Sequence, residues 1–319
     1  MNARACLLTL ALLAPVSTGQ SPPSGAEASG TPPALERVVV IGASLSAGFG
    51  LPGGLGTEFD LARALELAID APASTVTGLG NNFFFGDPIT VGAQQVAQAR
   101  ELEPSLVIAL DFAFWYGYGM GRGCEDRMAR LERGLRELEA LDCPLLLGDL
   151  PDMRAAAMEP GDHARGKAMI RHEQVPEPEC LAQLNRRLAE WAGEREGVLL
   201  FSLSSFSQAQ RATVALDVRD NRYPPERLPE LLQQDRLHPT WPGLVALSIA
   251  ALDQLERAGA FPAEAVEWRA AVLEQRVWAA TAAERDERRR KRWAREGRRE
   301  ARQKERRRAE NAAAREAAR

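Results

Sequence analysis

The stretch Arg37-Val38-Val39-Val40-Ile41-Gly42-Ala43-Ser44-Leu45-Ser46-Ala47-Gly48 passes from a β-branched apolar run into a turn of small residues. A helical pattern follows after a short loop. A strand that leaves its sheet through such a turn carries the next side chains to the carboxyl edge of the sheet, and Gly42 and Ala43 let the backbone bend tightly there. Ser44 would then present its hydroxyl at that edge. Read alone, a Gly-Ala-Ser turn serves equally well as an ordinary helix cap.

Outward from this stretch, short apolar or β-branched runs at 37–41, 74–77, 106–110, 144–147 and 198–203 read as strands. Between and after them, 61–69, 91–102, 125–141, 181–195 and 241–258 carry apolar residues at helical spacing, as in Met128, Leu131, Leu135 and Leu138. Mostly apolar strands separated by helices predict an α/β fold with a parallel five-stranded sheet covered on both faces, since half-exposed strands would alternate instead. In such a sheet a site forms at the carboxyl ends of the strands.

The ends of the chain read differently. Arg4 precedes an apolar run from Ala5 to Pro15, and Ser17-Thr18-Gly19 offers small residues for cleavage, so 1–19 reads as an export signal. The run is too short for a hydrocarbon core of ~30 Å, and no membrane span is expected once it is removed; a buried first helix is the other reading. Residues 20–35, rich in Pro, Ser and Gly, read as a solvated linker. A domain at 36–260 follows, then a helical extension at 261–319. From Glu284 onward the chain carries sixteen Lys or Arg against eight Asp or Glu, a net of +8, which leaves −12 for the rest of a chain whose total is −4. Pairs such as Glu287/Lys291 and Glu300/Lys304 support a solvated helix, with Gly297 as its expected break. That tail suits an anionic envelope surface, or is an extension with no specific partner; export argues against nucleic acid as a partner.

Loss of the signal removes Cys6 and leaves Cys124, Cys143 and Cys180 in an oxidising compartment, periplasmic or extracellular. Cys143 opens an apolar run and reads as a small buried hydrophobe. Cys124 and Cys180 stand at helix starts and are expected to bridge, with two free thiols as the alternative. Among three histidines, only His238 has an aspartate three residues before it and a proline directly after, in Asp235-Arg236-Leu237-His238-Pro239. Such a carboxylate can accept the proton of one ring nitrogen and leave the other free to deprotonate a serine. No recognised metal-ligand spacing accompanies His163 or His172, so neither metal nor cofactor is expected.

Together, the strand-Gly42-Ala43-Ser44-Leu45-Ser46 start and the Asp235-x-x-His238-Pro239 end resemble the first and last signature blocks of the SGNH/GDSL hydrolases, over roughly 38–252. The resemblance implies a flavodoxin-like three-layer α/β/α sandwich and a catalytic Ser44 with His238 as base and Asp235 as its orienter. The implied substrate is a small-molecule or polymer ester such as an O-acetylated glycan or lipid ester, taken by a monomer. Two departures and one match follow. The family usually has aspartate where this chain has Ala43. Its oxyanion glycine falls at Gly86, with Gly80 as runner-up, beside the Ser44 N–H. Its third donor, an asparagine after the middle strand, is missing from Asp111-Phe112-Ala113-Phe114-Trp115-Tyr116-Gly117, so Asn81 or Asn82 would have to reach in, or two donors suffice, or activity is lost. The last outcome would leave an envelope-binding protein on the same fold. Phe84, Phe85, Phe114 and Trp115 follow strands and are expected to border a substrate pocket, and the loop 151–179 to cover it.

Overall fold

The computed structural model describes residues 32–120, 123–158, 170–212 and 214–317. The expected signal, most of the linker and His163 lie outside these residues. Five strands, β1 (Arg37–Val40), β2 (Thr75–Gly78), β3 (Leu106–Ala109), β4 (Leu145–Gly148) and β5 (Val198–Phe201), form one parallel sheet in the order β2-β1-β3-β4-β5. Side chains alternate across each strand. Val38, Val40, Leu106 and Ile108 therefore face one apolar layer, and Val39, Ile41, Val107 and Ala109 face the other.

The helices α1 (Leu61–Ala68), α2 (Pro88–Glu101), α3 (Cys124–Leu138), α4 (Pro178–Gly193), α5 (Leu203–Gln210), α6 (Trp241–Arg257), α7 (Ala270–Ala280) and α8 (Ala282–Ala317) complete the framework. Layer one is covered by α1, α6 and α7, and layer two by α2, α3 and α4, which makes the three-layer α/β/α sandwich. Starts are marked by side-chain caps. Asp60 accepts from Arg63 N at 2.8 Å, Asp87 accepts from Thr90 N at 3.1 Å with Pro88 directly after it, and Thr240 accepts from Gly243 N.

The structure departs from the sequence-based expectation in four places. The run 198–203 is not all strand, because Ser202 caps a helix that Leu203 begins, its hydroxyl accepting from Ser205 N. Leu35 is fully buried in layer one, so the core starts inside the expected linker. The chain beyond 260 does not begin as an appendage either, because Phe261, Val266, Leu273 and Val277 are buried in that layer and Arg276 binds Asp70 at 2.6 Å. The described side chains of α8 are mostly exposed from Asp286 onward, and its root is tied by Arg288 to Glu58 at 2.7 Å. It runs through Gly297 without a break, because a glycine costs a helix only about 1 kcal/mol and its Arg- and Glu-rich flanks supply salt bridges such as Lys291 to Glu287.

Candidate active site

Ser44 stands on the loop that leaves β1, and that loop is clamped from two sides. Asp111, at the end of β3, is 5% exposed, and its carboxylate accepts from Ala43 N (3.0 Å), Leu45 N (2.8 Å), Ser46 N (3.3 Å) and the Ser46 hydroxyl (2.6 Å). Burial pushes this carboxyl up, and the four donors pull against that. From α2 the Gln95 amide accepts from Gly42 N at 3.0 Å and donates to Gly42 O at 2.8 Å and Leu79 O at 2.6 Å, which ties the loops after β1 and β2 together. Gly42 has φ +148°, and a Cβ there would lie 2.1 Å from Asp111 Oδ1, so no other residue fits. Sequence reasoning missed both Asp111 and Gln95. Position 43 carries alanine, and the backbone on either side of Ser44 is held by a carboxylate from position 111.

His238 and Asp235 come from the loop before α6. Asp235 Oδ2 lies 2.7 Å from His238 Nδ1, and Oδ1 accepts from Leu237 N and His238 N, each at 3.0 Å. Arg236 takes φ +57°, the left-handed turn that lets the two side chains meet three residues apart, and its carbonyl is held by the Arg211 guanidinium at 2.8 Å. Burial pushes the Asp235 carboxyl up, but its hydrogen bonds and the charge of His238 outweigh it and hold it below the usual range. His238 Nε2 lies 2.9 Å from Ser44 Oγ. With Nδ1–H donated to the carboxylate, Nε2 is the acceptor of the serine proton. Gln233 joins the two loops, its Nε2 donating to Phe49 O at 2.7 Å and Pro239 O at 2.8 Å, and the Phe49 ring packs 4.6 Å from the imidazole.

The expected oxyanion donors sort differently. The Ser44 N–H has no acceptor among the described residues. Gly86 is not placed for the role, because its N–H closes the turn Phe84–Gly86 by donating to Phe83 O at 3.0 Å. Gly80, two residues beyond β2, packs on the serine loop so closely that a Cβ would lie 2.6 Å from Ala47 N, and its own N–H has no acceptor among the described residues. Asn81 folds back, Oδ1 accepting from Phe83 N at 2.8 Å, whereas Asn82 lines the cleft over Ser44.

Two cavities meet at Ser44 and His238. The open one, of about 290 Å³, is bordered by Phe85, Trp115, Met120, Asn82 and Arg171. The other is a narrow apolar crevice of about 30 Å³ between Phe114, Met153, Leu203, Phe206 and Leu247. Tyr118 fixes its Met153 wall, accepting from Met153 N at 3.2 Å and donating to Pro151 O. Phe84 does not border either cavity. Its ring is fully buried, edge-on to Phe112 and Tyr116, because the tight turn points the middle of three phenylalanines inward. Cys124 and Cys180 are bonded, with Cα atoms 5.5 Å apart, and join the starts of α3 and α4; Cys143 is free and partly buried. Among the described residues no group of three or more His, Cys, Asp or Glu could hold a metal, and no helix is long and apolar enough to cross a membrane.

No family model matches the chain, and no curated protein matches it. Among solved structures it is similar to a psychrotrophic esterase from a Pseudoalteromonas species, at 14% identity over 71% of this chain and 100% of that one, with a TM-score of 0.43. It is also similar to a lipase/acylhydrolase from Enterococcus faecalis, at 15% identity over 73% of this chain and 98% of that one, with a TM-score of 0.43. Identities this low carry no activity across. The three-layer α/β/α sandwich is the fold that the resemblance of the two end blocks implies.

Proposed function

We propose that the protein is an exported serine ester hydrolase that acts through an acyl-enzyme on Ser44. The observation that carries this reading is the unbroken line from Ser44 Oγ to His238 Nε2 at 2.9 Å and from His238 Nδ1 to Asp235 Oδ2 at 2.7 Å. His238 takes the hydroxyl proton as Ser44 attacks the ester carbonyl, and Asp235 stabilises the imidazolium that forms. The oxyanion is received by the N–H groups of Ser44 and Gly80, with the Asn82 amide within the same cleft to take the place of the missing asparagine. His238 then gives its proton to the departing alcohol, and water repeats the sequence to free the acid and restore Ser44. No step calls for a cofactor.

Export is supported by the signal-like start at 1–19 and by a disulfide between Cys124 and Cys180, a bond that lasts in the periplasm or outside the cell. The net charge of +8 from Glu284 onward favours attachment to an anionic envelope surface. A binding protein of the same fold would have no use for an imidazole held against a serine hydroxyl. Nitrophenyl acetate hydrolysis tests the reading. Ser44→Ala and His238→Ala are each expected to lower kcat by about 10⁴-fold or more; a Ser44→Ala variant as active as wild type overturns it.

A further inference from the structure

The crevice beside Ser44 holds a polar group that the reaction does not use. Gln210, the last residue of α5, is 6% exposed and lines the crevice, and its Nε2 is buried with no hydrogen-bond partner. A buried donor left unmade costs about 1–3 kcal/mol, which a bound acceptor would relieve. The rest of the wall is apolar apart from Ser207, Asp111 and the catalytic pair, and the Asp111 carboxylate is already occupied by the serine loop.

Size separates the roles of the two cavities. The crevice, of about 30 Å³, is far smaller than the open cleft of about 290 Å³, so it suits the smaller of the two parts of an ester. The leaving alcohol must reach solvent after taking its proton from His238, and the open cleft of about 290 Å³ offers that exit. The acyl group therefore belongs in the crevice. We infer that the crevice is the acyl site, and that the Gln210 amide at its wall selects a short acyl group bearing an oxygen acceptor, a hydroxyacyl of about four carbons or fewer, over the plain acyl group of the same length. This rests on the ester-hydrolase reading above and adds its acyl specificity. An apolar pocket discriminates weakly between chains differing by one methylene, whereas a donor built into the wall discriminates by whether it is satisfied.

The test compares nitrophenyl esters of butyric, β-hydroxybutyric and octanoic acids on the secreted full chain and on Gln210→Met. Wild type is expected to favour β-hydroxybutyryl over butyryl by about tenfold in kcat/KM, the worth of one satisfied buried hydrogen bond, and to disfavour octanoyl. Gln210→Met is expected to abolish or reverse the first ratio. A folding defect lowers both rates together and leaves the ratio intact, so the ratio reports the amide alone. Equal rates in wild type, a ratio unmoved by Gln210→Met, or octanoyl turned over as fast as butyryl each overturn the inference while the hydrolase stands. If no ester is hydrolysed and a fluorophosphonate leaves Ser44 unlabelled, the hydrolase reading falls and the inference with it.

Discussion

Replacing Asp111 with asparagine keeps the shape of the side chain and removes part of its accepting capacity. The carboxylate serves Ala43 N and the Ser46 hydroxyl through Oδ1, and Leu45 N and Ser46 N through Oδ2. An amide turned either way sets its NH₂ against at least one of the three backbone N–H groups. The cheaper orientation orphans Ala43 N–H, because the Ser46 hydroxyl can turn to accept. One orphaned buried N–H costs about 1–3 kcal/mol, and the loss of charge from the two remaining bonds adds roughly 1 kcal/mol each. Burial already pushes the Asp111 carboxyl up, so removing the charge returns some of this. The net expectation is a loss of about 2–4 kcal/mol in urea unfolding, and roughly twice that for Asp111→Ala, which orphans all three N–H groups. Because the same bonds set the height of Ser44, kcat should fall by about 10²-fold in the folded asparagine variant with little change in KM. An Asp111→Asn protein within about 0.5 kcal/mol of wild type, with unaltered kcat, would refute the claim that this carboxylate holds the serine loop.

Three other consequences are open to measurement. Gly80→Ala places a Cβ 2.6 Å from Ala47 N, so it should displace the oxyanion rim and cut kcat, whereas a Cβ at Gly86 meets nothing within 4 Å and Gly86→Ala should leave kcat unchanged; the opposite ranking would restore Gly86 to the site. Reduction of Cys124–Cys180, which spans 56 residues, should cost about 4 kcal/mol in denaturant unfolding, and an unchanged midpoint would contradict that bridge. The hydrogen bonds from Arg269 hold Glu267 down at about 2, so its contribution is complete above the ordinary value of 4.5 and is lost as pH falls toward 2. Wild type should therefore exceed Glu267→Gln in stability near neutrality, with the gap closing below pH 4.5; a gap constant across that range contradicts the pairing.

Much of the framework was legible because it is written locally. Val38 to Ile41 and Leu106 to Leu110 are apolar on both faces, which only a covered parallel strand tolerates, and Asp235 and His238 lie three residues apart so that one turn brings them together. What stayed hidden depends on long-range contact. Asp111 meets the serine loop across 65 to 68 residues, and Gln95 meets Gly42 across 53, with no spacing to announce either. Gly86 shows the same limit, because its N–H is taken up by Phe83 O in a turn that composition does not encode. The short helix α5 was not read from the sequence, since only Leu203, its first residue, fell in a run and that run was read as strand, and with it went the wall of the crevice and Gln210. At the C-terminal side, helix was expected beyond 260 but not its packing, and Leu273 and Val277 of α7 close layer one through contacts far apart in sequence.

The central claim is that the Ser44 hydroxyl is made reactive by His238, and covalent trapping measures this without knowledge of the substrate. The secreted protein is treated with a fluorophosphonate and the modified peptide mapped by mass spectrometry. The account predicts a single adduct on Ser44 that is lost in Ser44→Ala and forms far more slowly in His238→Ala. A wild-type chain that takes no label, or labels as fast without His238, contradicts it.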